Sequence, residues 1–199
     1  MSIPSRIAVR GLTLVELIVS IVIIGVGVAG IVLVFNTTVR ASVDPLLQKQ
    51  ALAVAEALLE EVQLMPYTYC DPDDTNAETA LGADDCSGGS GGPNNESRDP
   101  LGAESGETRT GAVTPFDNVS DYHGFGLSGI TDIVGNAIQG LEGYSAQITV
   151  TKQGVAAVGA VAEIPDSEAL LITVTVTGPG DTSVRLDGYR TRYAPNLLP

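Results

Sequence analysis

The most informative carboxylate in this sequence stands where carboxylates are rare. Glu16 is the only charged side chain in the run from Leu12 to Phe35. A carboxylate in an apolar span costs about 2.5 kcal/mol or more on insertion scales, so it needs a partner or a task. Two other groups have side chains able to do chemistry. Asp71, Asp73, Asp74, Asp84 and Asp85 lie at or between Cys70 and Cys86. Their oxygens suit calcium, but the spacing lacks the glycine at the sixth place and the glutamate at the twelfth of an EF-hand loop. Calcium is therefore the lesser alternative there, and no other cofactor is expected. The last group is Asp117, Asp121, Tyr122 and His123, with the single histidine of the chain. One histidine without a cysteine or serine partner is a thin metal or acid–base site. A turn in which Asp and Asn bond their own backbone is the simpler expectation. No G-x-S-x-G elbow or phosphate loop is present, and no catalytic role is expected.

The elements that carry these residues differ in character along the 199 residues. Residues 1–11 form a short leader with Arg6 and Arg10 and no acid. The apolar run behind it, taken as 12–35, is about 36 Å long as a helix, enough to cross a bilayer core of about 30 Å. Basic residues before it favour a cytoplasmic leader, which puts the remainder of the chain on the far side of the membrane. An ordinary secretory signal has a shorter apolar core and a small-residue cleavage site after it. The sequence Asn36 to Arg40 offers no such site.

Residues 36–65 read as an amphipathic stem. Asp44 as N-cap and Pro45 at the first helical position predict a restart of the helix. Leu47, Ala51, Val54, Leu58 and Val62 recur at helical spacing, while Gln48, Lys49, Glu56, Glu60 and Glu61 fall largely elsewhere. Pro66 ends the helix. If continuous from Leu12 to Leu64, the helix would be about 80 Å long. Residues 66–115 are rich in Gly, Ser, Asp and Asn and predict loop rather than core. Two cysteines in an exported chain predict one disulfide, Cys70–Cys86, worth roughly 3 kcal/mol for a loop of about 15 residues.

Residues 116–199 predict a β head. Pro115 to Tyr144 holds turns with one short strand or helical turn. Ala146–Thr151, Leu170–Thr177 and Ser183–Tyr193 alternate as antiparallel strands, the last two joined by the turn Gly178-Pro179-Gly180-Asp181. Val184, Leu186, Tyr189 and Tyr193 are the apolar members of the last strand. The fold class is α+β, with the stem covering one face of a small sheet. The net charge of −14 leaves no basic surface for nucleic acid.

The segment Arg10-Gly11-Leu12-Thr13-Leu14-Val15-Glu16 resembles the signal of type IV prepilins. That resemblance implies cleavage by a prepilin peptidase between Gly11 and Leu12, and N-methylation of Leu12. It also implies that Glu16 meets the terminal amine of a neighbouring subunit during assembly; unlike charges in an apolar place strongly favour each other. The family's first mature residue is commonly Phe, and here it is Leu12. Gly25, Gly27 and Gly30 fit either close helix packing or melting of the helix in a filament. Melting often involves a proline that this run lacks. The stem, the cysteine-bracketed loop, PFDNVSDYHGF and ITVTVTGPG…LDGYRTRYAP are similar to D-type minor pilins of the mannose-sensitive haemagglutinin (MSHA) pilus.

The resemblance implies a non-enzymatic minor pilin. Its partners would be other pilins, the prepilin peptidase and methyltransferase, and an inner-membrane assembly platform. It would be a single-pass inner-membrane protein with a periplasmic head, and then part of an extracellular pilus. A minor pseudopilin of a type II secretion system shares the same N-terminus. A membrane-anchored ligand-binding module is the alternative from another class.

Overall fold

The computed structural model describes residues 13–158 and 162–196; of residues 35–44 it describes only the helical backbone. Helix α1 spans Leu14–Leu64 and includes Pro45. The expected restart at Asp44-Pro45 is therefore corrected: the backbone stays helical through the proline. Proline forfeits one i→i−4 bond, and helix-forming turns on both sides keep the helical backbone going. The helix also runs unbroken through Gly25, Gly27 and Gly30. By its contacts the chain divides into two units, Met1–Pro45 and Leu46–Pro199, which are described separately.

In the first unit, Leu14–Val34 has a mean hydropathy of 3.1 and none of its residues is buried. Among the described residues it is the one stretch long and apolar enough to cross a membrane.

In the second unit the α1 stripe is the spine of the core. Ala51, Val54, Ala55, Leu58 and Val62 are buried, and Leu47 and Leu59 pack beside them. They face an antiparallel sheet of β1 (Gly126–Ser128), β2 (Ser145–Lys152), β3 (Ala169–Gly178) and β4 (Thr182–Thr191), paired in that order. Alternation decides the inward face. Ala146, Ile148 and Val150 of β2 meet Leu170, Ile172, Val174 and Val176 of β3 in the core. The β3–β4 turn has Gly180 and Asp181 at φ of 66° and 59°, a conformation that Gly and Asp tolerate best.

Strand β4 ends two residues before the expected Tyr193. Val184 and Leu186 pack on the core, but Tyr189 and Tyr193 are exposed. They sit at odd positions, so the pleat turns Tyr189 to the other face, and Tyr193 lies beyond the strand end. The inward place belongs to Gly188. A Cβ there would meet Gln63 Nε2 at 2.5 Å and Leu59 Cδ1 at 3.0 Å. A side chain at that point needs the Gln63 and Leu59 side chains to move aside.

Residues 66–115 form few ladders but are not coreless. Cys70, Ala77, Ala80 and Cys86 make a second small cluster. Cys70 and Cys86 are disulfide-bonded. Arg192 fixes this region to the end of β4. Its guanidinium lies 3.8 Å from the Tyr67 ring centroid and 4.4 Å from that of Tyr69, and it donates to Ser167 O and Ser97 Oγ.

The close approach at Gly188 gives a direct test of the packing. Gly188→Val should destabilise the head by about 1–3 kcal/mol, the usual cost of overpacking. Denaturant unfolding with an unchanged midpoint would contradict this helix-on-sheet contact.

Candidate functional site

The described N-terminal segment begins with a cap. Thr13 Oγ1 accepts the backbone N–H of Glu16 at 3.3 Å, and Thr13 O accepts that of Leu17. The T-x-x-E spacing is that of a capping box, with Glu16 at the third helical position. A carboxylate there also faces the positive end of the helix dipole. This spacing was present in the sequence and its local role was missed. Gly11 and Leu12 lie outside the described residues.

A second site is built from the long loop. It depends on Arg109, which is buried and pairs with Glu61 of α1. Arg109 Nε and Nη2 lie 2.7 Å from the two Glu61 oxygens. Tyr122 Oη also donates to Glu61 Oε1, at 2.9 Å, and Arg109 Nη1 donates to the carbonyl of Asp132. The sequence placed Glu61 off the buried stripe. It flanks that stripe, and its side chain reaches the loop.

Beside this junction a short 3₁₀ turn spans Val119–Tyr122, capped by Asn118. Asp121 Oδ2 accepts the backbone N–H groups of Asp117 and Asn118. Here the expected hydrogen-bonded turn holds Asp117, Asp121 and Tyr122. His123 is drawn away: its Nδ1 lies 2.6 Å from Val150 O on β2.

The turn carries its acids toward others. Three groups of carboxylates have oxygens within 4.8 Å of one another: Asp71, Asp73 and Asp117; Asp71, Glu96 and Glu104; and Glu104, Glu107 and Asp121. Of the five acids predicted as calcium ligands, only Asp71 and Asp73 enter these groups. The carboxylates of Asp74 and Asp85 serve the loop instead. Asp74 accepts from Asn76 N, Ser87 N and Ser87 Oγ, and Asp85 accepts from Leu81 N. Asp84 is exposed. Glu96, Glu104, Glu107, Asp117 and Asp121 come together only through the fold.

Crowding and burial set the charge of this pocket. Burial pushes Asp121 up to about 8, against backbone bonds that favour its anion, and Glu107 and Glu104 add to the rise. Burial and the neighbouring acids, Asp71 first, bring Asp117 to about 7. Burial and the Glu104 carboxyl bring Glu107 to about 7. Glu96 is raised well above its usual range by burial, then by Asp121. Asp71 is raised by burial too.

These shifts have a definite sign in stability. An unfolded carboxyl ionises near pH 4, so the folded chain holds more protons between about pH 4 and 8. The stabilisation is complete below about pH 4 and is lost as pH rises through about 7–8. In chelated buffer the melting midpoint should therefore fall steadily from about pH 5 to 8, measured by circular dichroism. A flat or rising profile would contradict the buried acids.

The prokaryotic N-terminal methylation motif matches residues 6–32, which contain Glu16 and most of the apolar helix. No curated protein and no solved structure matches the chain. The motif implies processing by a peptidase and assembly with other pilins, and indicates a structural subunit rather than an enzyme. The long apolar N-terminal helix and the small antiparallel four-stranded sheet are consistent with the type IV pilin fold. Together these features support a membrane-anchored protein of the type IV pilin or pseudopilin kind.

Proposed function

We propose that this chain is a minor pilin of an MSHA-like type IV pilus. The observation that carries the proposal is the methylation motif over residues 6–32, with one carboxylate inside a helix of mean hydropathy 3.1. In this reading the leader is removed between Gly11 and Leu12, and Leu12 is methylated. The helix holds the subunit in the inner membrane with its head in the periplasm, until a filament takes it up, within the shaft or at the tip. The resemblance of the head segments to D-type MSHA minor pilins supports this system over a type II secretion pseudopilin, which the motif alone fits equally.

Glu16 has two separable tasks in this reading. Its backbone N–H closes the helix cap, and its charge meets the terminal amine of the next subunit. Replacement by Gln keeps the cap and removes the charge. Losing one partner of a buried ion pair costs a few kcal/mol. Glu16→Gln should therefore lower the amount recovered in sheared filaments by on the order of tenfold or more, with unchanged membrane levels. Incorporation at the wild-type level would exclude an assembly role and favour an anchored binding module.

A further inference from the structure

The acids beside the Val119–Tyr122 turn bring more negative charge together than the described residues balance. Two of their groups share Glu104. The ion pair at that point is Arg98–Glu104. The remaining Arg98 contacts go to the carbonyls of Pro93, Gly102 and Ala103. Glu96 and Asp121 are each 2% exposed, yet each keeps one oxygen without a hydrogen-bond partner among the described residues. These atoms are Glu96 Oε1 and Asp121 Oδ1. Leaving a buried acceptor unmatched is costly, and native proteins seldom do so without a purpose.

The donor set narrows what would satisfy them. It consists of carboxylate oxygens, with no histidine or cysteine in any of the groups. Soft and borderline metals favour sulfur and imidazole. Magnesium demands tight octahedral geometry and keeps much of its water. Calcium accepts several carboxylates in a flexible shell.

We propose that the two carboxylate groups that share Glu104, which are Asp71, Glu96 and Glu104, and Glu104, Glu107 and Asp121, bind a divalent cation of the calcium class. The site is distinct from the one expected between the cysteines and takes only Asp71 from that stretch. It joins segments near residues 71, 96, 104–107 and 121, so the cation ties the disulfide loop to the Val119–Tyr122 turn. Binding to the folded state alone stabilises it by mass action. The inference does not depend on the pilin reading.

The test uses the full chain in detergent, first stripped with chelator. Calcium is titrated during thermal unfolding at about pH 7.5, up to about 10 mM, since extracellular calcium modules bind at about 0.1–1 mM. The wild-type midpoint should rise by several degrees and saturate. Glu96→Gln and Asp121→Asn each replace one buried carboxyl, able to meet a cation as an anion, by an amide of nearly the same shape. Each variant should melt at or above the wild type in chelator, and each should need at least about tenfold more calcium, an affinity loss typical of disturbed metal sites. Asp84→Asn, in the cysteine loop but outside these groups, should respond like the wild type. No calcium response in the wild type would overturn the proposal, as would full responses in both Glu96→Gln and Asp121→Asn. An equal response to magnesium at the same concentration would overturn the assignment to calcium.

Discussion

Arg109 reaches Glu61 with two charged hydrogen bonds and is itself buried, and Tyr122 closes on the same carboxylate. This junction joins α1, the long loop and the turn at Val119–Tyr122. A buried pair is weak evidence for stability by itself, but removing one partner strands the other and costs about 3–5 kcal/mol. Its larger effect is on position. Arg109 lies shortly after Glu104 and Glu107 in the chain, and Tyr122 directly after Asp121. Fixing both to one glutamate on a rigid helix brings those acids within reach of each other. The helix can play this part because its apolar stripe is already seated on the sheet. Gly188 allows that seating by leaving room for Leu59 and Gln63.

The parts of this fold governed by short periods were legible in the sequence. Ala51, Val54, Leu58 and Val62 repeat at helical spacing and are buried together. Strands β2 and β3 alternate, and their even residues form the inward face. Apolar character alone does not place Tyr189 and Tyr193, because register, not hydrophobicity, decides the face. Pro45 read as a start although the backbone passes through it. Of the acid cluster, Asp71, Asp73, Asp117 and Asp121 stood out in the sequence, but their meeting with Glu96, Glu104 and Glu107 did not. Glu61 and Arg109 are 48 residues apart, and Glu96 and Ser120 are 24 apart. No local spacing encodes such pairings. The acids visible in the sequence, between the cysteines, are mostly consumed in holding their own loop.

The two units suit different solvents. No residue of Leu14–Val34 is buried within the chain, and its surface is nearly all apolar. Such a helix is stable where its side chains meet lipid or similar helices, and there its backbone satisfies itself. The methylation motif lies on the apolar unit alone. In the proposed reading the first unit serves processing and assembly. The second unit carries the disulfide and the carboxylate cluster.

The pilin reading stands first on the junction between the basic leader and the apolar helix. Its most direct test is the intact mass and N-terminal analysis of the full chain expressed beside a prepilin peptidase. It predicts loss of residues 1–11 and a methyl group on the amine of Leu12. A chain that keeps its leader, or one cut after the apolar run, would contradict it.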